Sequence, residues 1–349
     1  MEVRVLSGAP LKESDVGVPV IIKVDPLKPE QSLIRKACQV LLDGSVVAFP
    51  TETVYGLGAV ATCEEAVKKI FQLKGRPADN PLIVHICDLE QLEDLVTEVP
   101  EKARKVMEVF WPGPLSMILQ AKDNVPLITR GGLESVAIRM PAHPVALSLI
   151  ECAGPIAAPS ANKSGRPSPT TAEHVYQDFG EQVLILDAGP TLVGLESTVV
   201  DVREEPWKIY RPGAVTREML EAHGHVAVEF VGKIEEGSSV PSPGMKYRHY
   251  APNVPVILFR EISELPVNQD ITVIALDYLV PSLQQRNNIT FISLGPDQHS
   301  AAARIYMALR EAERYGRSTY VQLMDEEGIG IAYNERVRKA AGASRKLAR

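Results

Sequence analysis

Residues 46–58 read VVAFPTETVYGLG. The apolar run VVAF (46–49) has the composition of a short buried strand, and Pro50 ends it. The turn that follows carries two hydroxyls (Thr51, Thr53), a carboxylate (Glu52) and a phenol (Tyr55) before Gly56-Leu57-Gly58. A polar turn at a strand's C-terminal end is where α/β sheets place ligands. GLG is only a fragment of a dinucleotide fingerprint, so no nucleotide fold follows from it. Upstream, Leu33, Ile34, Ala37, Cys38, Leu41 and Leu42 recur at helical spacing until Gly44 stops the helix. Downstream, Thr62 and Glu65 form a capping-box pattern ahead of a helix carrying Ala66, Val67, Ile70 and Phe71. LIVHIC (82–87) reads as a buried strand. Helices are expected near 88–96 and 100–110, and short strands near 115–120, 135–139, 155–158, 183–187 and 198–202. The pattern predicts an α/β domain with a mixed sheet rather than a repeating βαβ unit.

The character of the chain changes at GSSVPSPGMKYRHYAPNVP (237–255), where six of nineteen residues are Pro or Gly. Such a stretch is too broken for a helix or a central strand. Beyond it PVILF, ITVIA and FISL are strand-like and a helix is expected near 300–315, which outlines a second, small α/β domain. The expected organisation is therefore 1–235, a linker at 236–254, and 255–349.

Composition narrows the function classes. In 349 residues, 45% are hydrophobic and 23% charged, enough for a proper core and too apolar for wholesale disorder. No apolar run reaches about 18 residues and the N-terminus lacks a secretory pattern, so a cytoplasmic protein without membrane spans is expected. Cys38, Cys63, Cys87 and Cys152 form no CxxC pair and no metal-ligand spacing, and are expected to be reduced thiols with no bound metal. A net charge of -7 argues against a protein that wraps nucleic acid. The basic end RVRKAAGASRKLAR (336–349) is expected to be a solvated tail.

Four polar segments could carry chemistry besides structure. In KGRPADNPL (74–82), Lys74 and Arg76 follow a helix end, suited either to an anionic ligand or merely to the helix dipole. In APSANKSGRPSPTT (158–171), Ser160 and Asn162 sit on a proline-stiffened loop. Ser160-Ala-Asn-Lys163 matches the SxxK of penicillin-binding serine enzymes, yet no KTG or SDN triplet accompanies it. GLESTVVDV (194–202) and IYRPGAV (209–215) add Ser197 and Arg211 on turns, where hairpin chemistry alone would also explain Pro212-Gly213. His85 lies in an apolar strand, where a satisfied core histidine is the default. No P-loop and no HExxH occurs.

In this order, the segments resemble the YrdC-like threonylcarbamoyl-AMP synthase family in its longer, two-domain form. The family's KxR and SxN are Lys74-Gly-Arg76 and Ser160-Ala-Asn162. PTETVYGLG, NPL (80–82), ESTVVD (196–201), YRPG (210–213) and SPGMKYRHYAP (242–252) also look like its signatures. The resemblance implies a twisted mixed-sheet domain with a positively charged cavity, joined by a long loop to a small Rossmann-like domain. It implies that L-threonine, bicarbonate and Mg2+-bound ATP give threonylcarbamoyl-AMP and pyrophosphate. Other proteins then pass the threonylcarbamoyl group to an adenosine in tRNA.

By similarity, Lys74 and Arg76 are the catalytic pair. Thr53 (or Thr51 in its place), His85, Arg139, Ser160 and Ser197 would hold threonine. Arg76, Asn80, Ser135, Asn162, Thr170, Arg211 and Asn253 would line the ATP position. Tyr247 and His249 would close over the cavity as a lid. The resemblance leaves two other classes to weigh: a double-stranded-RNA-binding module, disfavoured by the acidic charge, and a related carbamoyl-transfer or acyl-adenylating enzyme using another amino acid.

Overall fold

The computed structural model describes residues 20–231, 242 and 249–342. The first unit runs β1 (Ile21–Lys23), α1 (Gln31–Leu42), β2 (Val47–Phe49), β3 (Gly56–Val60), α2 (Glu64–Lys74), β4 (Ile83–His85), α3 (Leu89–Leu95), α4 (Glu101–Phe110), β5 (Leu115–Gln120), β6 (Ser135–Arg139), α5 (Pro144–Ala153), β7 (Ile156–Ala157), α6 (Ala172–Phe179), β8 (Leu184–Asp187), β9 (Thr198–Asp201), β10 (Trp207–Arg211), α7 (Arg217–Gly224) and β11 (Val228–Phe230). Its strands join one 11-stranded sheet in the order β1-β8-β2-β3-β7-β4-β6-β5-β9-β10-β11. Parallel and antiparallel pairings alternate irregularly: β4 runs parallel to β6 and β5 to β9, while β2 opposes β3 and β7 opposes β4.

The second unit comprises β12 (Val256–Phe259), β13 (Ile271–Ala275), α8 (Val280–Leu283), β14 (Ile289–Ser293), α9 (Gln298–Ala312), β15 (Thr319–Gln322) and α10 (Ile329–Ala340). Its four strands form an all-parallel sheet in the order β12-β15-β13-β14. Parallel strands need covered faces, and ITVIA (271–275) is accordingly buried throughout.

Two local expectations fail. The cap of α2 is Cys63, without a side-chain bond, so Thr62 and Glu65 make no capping box. The helix begins at Glu64, and the carboxylates of Glu64 and Glu65 in its first turn suit the dipole instead. The four cysteines are not all thiols. Packing of α1 on α5 brings Cys38 and Cys152 to a Cα separation of 6.1 Å, and they form a disulfide; Cys63 and Cys87 are free. A pairing between residues 114 apart is set by tertiary packing, which Cys spacing does not encode.

The two units meet through buried ions as well as apolar side chains. Arg310 of α9 grips Asp178 of α6 (2.9 and 3.3 Å) and the Pro167 carbonyl (2.6 Å). Arg336 of α10 reaches Glu196 (2.9 Å), and Glu313 takes Arg166 (2.8 Å) and the Asn253 amide (2.9 Å). Gly194 lies against α9 so closely that a Cβ there would sit 2.4 Å from Ala303, and its φ of +73° also favours glycine. Arg336 is 0% exposed. The basic stretch read as a solvated tail therefore begins inside the protein, because α10 continues to Ala340 and packs against α9.

Candidate functional site

A cavity opens where the ends of β4, β6 and β10 meet the turn after β2 and the loops at 158–166 and 196–197. Strand register builds its floor. His85 and Arg139 are the last residues of two parallel strands and are register partners, which sets them side by side although 54 positions separate them. Ser160 bridges Gly56, tying the loop after β7 to the start of β3. Gly213 lets the end of β10 press against β9: a Cβ at 213 would lie 2.4 Å from the Thr198 amide. That approach allows Arg211 to donate to the Ser197 carbonyl (3.0 Å) and hydroxyl (3.1 Å).

Of the residues singled out from sequence, Arg76, His85, Arg139, Ser160, Asn162, Ser197, Arg211 and His249 line this one cavity. Thr51 lines it and Thr53 does not; Thr53 is wholly buried, its hydroxyl 2.8 Å from that of Thr51. Lys74 also stands behind the wall. It is buried, and its ammonium donates to the carbonyls of Ser160 (2.6 Å) and Asn162. The lysine thus holds the backbone of the loop whose side chains reach the cavity. Asn80 is buried beside it and offers its carbonyl to Arg76 (3.2 Å).

Ser135 begins β6, four residues before Arg139, or about 13 Å away at strand rise, so it does not share the cavity. Thr170 lies beside His174 (3.4 Å), and Asn253 is exposed with its amide on Glu313. Tyr247 lies outside the described residues. Lys163, the lysine of the SxxK match, donates to the Leu73 carbonyl (2.6 Å) and covers the Phe179 ring; neither contact places it as a base for Ser160.

Glu52, Arg166, Glu196 and Tyr250 carry no site role in the sequence reading, although each lies in a quoted segment. Arg166, Glu196 and Tyr250 line the cavity. Glu52 sits behind Arg139, 2.7 Å from its Nη2, both side chains under a tenth exposed. The pair is misaligned: among the described residues neither Glu52 oxygen nor Arg139 Nη2 has a hydrogen-bond partner, while Arg139 Nε donates to the Gly113 carbonyl (3.1 Å). Arg139 lines the cavity with Glu52 behind it, and its guanidinium is the fork suited to a carboxylate.

The electrostatics separate cations from neutral bases. Burial, reinforced by Arg139, lowers the His85 pKa to about 3, and burial with Arg76 does the same to His249. Both imidazoles are neutral at pH 7, and His85 Nδ1 and His249 Nε2 lack partners among the described residues. Burial would raise Glu196, but Arg336 and Arg211 with the Ser168 hydroxyl hold it down at about 2. Burial lowers Lys74, helped by Arg76. Four arginines (76, 139, 166 and 211) and one carboxylate (Glu196) line the cavity; Glu52 pairs with Arg139, and Asp178 and Glu313 pair with Arg166, behind that wall, so the groups facing the cavity are mostly cationic donors suited to an anionic ligand with several oxygens.

Comparison with known proteins agrees with this geometry. Residues 39–213 match the Sua5, YciO and YrdC family model, described as "Telomere recombination", and residues 215–342 match the model "Threonylcarbamoyl-AMP synthase, C-terminal domain". The threonylcarbamoyl-AMP synthase of Pyrococcus abyssi is 43% identical over 325 residues, covering 90% of this chain and 95% of that protein. That of Bacillus subtilis is 43% identical over 342 residues, covering 91% and 95%. The crystal structure of P. abyssi Sua5 complexed with L-threonine superimposes with a TM-score of 0.83 at 41% identity, covering 92% of this chain and 97% of that one.

Proposed function

We propose a residue-level course for the reaction of this chain, which belongs to the threonylcarbamoyl-AMP synthase family in its two-domain form. It is an enzyme that makes threonylcarbamoyl-AMP, a nucleotidyl transfer. The observation that carries the residue assignments is the convergence of Arg76, Arg139 and Arg211 with two neutral histidines on one cavity.

Arg139 takes the threonine carboxylate, with Glu52 behind it setting the guanidinium's orientation. Ser160, Ser197, Thr51 and neutral His85 offer hydrogen bonds to the amino and hydroxyl groups. The threonine amine loses a proton and attacks CO2 derived from bicarbonate, giving a carbamate. A carbamate oxygen then attacks the α-phosphate of ATP, and pyrophosphate leaves. No protein nucleophile is needed, since placing two anions together and neutralising the charge that develops supplies the rate. Arg76 and Arg211 face the phosphates, and Asn162 orients the adenylate. Mg2+ enters as the counter-ion of ATP. Lys74 acts through the Ser160–Asn162 backbone. His249 and Tyr250 are buried against the cavity, which supports a covering role for these two residues once both substrates are in.

The product is a mixed anhydride, and its threonylcarbamoyl group passes onward to an adenosine of tRNA through a separate transferase. On this reading the enzyme works in the cytoplasm, where its product would be consumed. Among the described residues no helix is long and apolar enough to cross a membrane. The test is product analysis after incubation with ATP, L-threonine and 13C-bicarbonate. A threonylcarbamoyl-AMP heavier by one mass unit is expected, and an unlabelled product would remove bicarbonate from the scheme.

A further inference from the structure

Among the described residues the second unit has no side chain lining the cavity, yet Arg336 stands directly behind that lining. Arg336, from α10, is 0% exposed and donates through Nε to Glu196 Oε2 (2.9 Å). Tyr306 of α9 donates its hydroxyl to the same oxygen (2.8 Å), and Ser168 donates to Glu196 Oε1 (2.5 Å). Glu196 is the residue before Ser197, on which Arg211 rests. After Arg336, Arg211 is the cation that acts most strongly on the Glu196 carboxylate. Arg336 also stands 5.8 Å from the Tyr250 ring and pairs with Glu335, which has Lys339 as a second partner.

We propose that Arg336 is a positioning residue for ATP, holding the Glu196 carboxylate so that it does not compete with phosphate for Arg211. The inference rests on the assignment of Arg211 to ATP made above. Without Arg336, Glu196 remains a buried carboxylate fixed by two hydroxyls, with Arg211, which lines the same cavity, as the next cation acting on it. A resident carboxylate that captures Arg211 is an intramolecular competitor. It reduces the fraction of enzyme competent to bind ATP and so raises the apparent Kd and KM, while saturating ATP restores turnover. The second unit thereby has a role in synthesis without touching substrate.

The test compares wild type, R336M, R336K, E196Q/R336M and R211M in the full chain. ATP affinity is read by calorimetry without threonine, and KM and kcat by pyrophosphate release. R336M is expected to raise the ATP Kd and KM by about tenfold or more, with kcat within threefold. E196Q/R336M, which lacks the competing carboxylate, is expected to return both to within about threefold of wild type. R336K keeps the charge and the fold but cannot supply the fork, so a rise of a few-fold is expected. If R336M fails to fold, R336K and the double variant carry the test. Unchanged ATP affinity in R336M and R336K, beside a raised Kd in R211M, overturns this inference alone. Unchanged affinity in R211M overturns the assignment of Arg211 and this inference with it. A kcat loss without a KM change, or a KM defect that E196Q does not relieve, overturns the competition.

Discussion

Replacing Arg310 by Met tests how firmly the second unit is fastened to the first. The Arg310 side chain is 3% exposed and that of Asp178 0%, and the fork makes contacts of 2.9 and 3.3 Å. Removing one partner of a buried ion pair costs about 3–5 kcal/mol, because the remaining charge is stranded away from water. Asp178 is not wholly stranded here. Arg166 stays 2.8 Å away, on a side chain 27% exposed, and the Lys163 amide donates at 3.2 Å. Those contacts put R310M at the lower end, about 3 kcal/mol. At about 2–4 °C per kcal/mol for domains of this size, the melting midpoint falls by roughly 6–12 °C. A thermal scan of the full chain measures it, and D178N/R310M, which removes the stranded charge, should recover part of the loss. A midpoint for R310M within about 1 °C of wild type would show that the pair contributes nothing net and would refute the reasoning.

Other outcomes follow from the same structure. Lys74→Ala should lower stability and activity together, by about 1–3 kcal/mol for the Asn162 carbonyl left without its donor; a variant that melts like wild type yet is inactive would mean that Lys74 itself touches substrate. Arg76→Ala should cut kcat/KM roughly 10- to 150-fold through a lost charge-assisted contact, with a smaller change in midpoint. His85 and His249 have folded pKa values of about 3 against 6.5 unfolded, so the unfolded chain binds more protons and stability falls as pH drops below about 6.5. Each contributes about 2 kcal/mol of that loss by pH 5, so H85N should flatten the midpoint-against-pH curve over pH 5–6.5, and an unaltered curve would contradict the neutral imidazole. Unreduced, denatured protein should titrate two thiols and reduced protein four, with reduction costing about 2–4 kcal/mol.

Local pattern was legible where local physics decides it. The strands expected at 115–120 and 135–139 are β5 and β6 to the residue, since each is a short, mostly apolar run with turn residues nearby, and both are buried almost throughout. The polar turn after VVAF, the 74–76 and 160–162 segments and the 196–197 and 211 turns do converge on one cavity. What could not be read was the meaning of a residue whose partner is distant in sequence. Lys74 looked like a cation offered to a ligand, and only the packing of α2 against the 160–162 loop shows it spent on carbonyls. The Glu52–Arg139 pair and the Cys38–Cys152 link are likewise tertiary facts. Arg310 and Arg336 resemble ordinary surface arginines of amphipathic helices, because helical periodicity does not distinguish solvent from a second domain.

Pyrophosphate release from Mg2+-ATP, measured with each of the twenty amino acids and with bicarbonate supplied or withheld, decides between this chemistry and its neighbours. Release is expected with L-threonine alone, and only when bicarbonate is present. Equal release without threonine, or with another amino acid in its place, would contradict the reading of Arg139, His85 and Ser197 as a threonine site beside ATP.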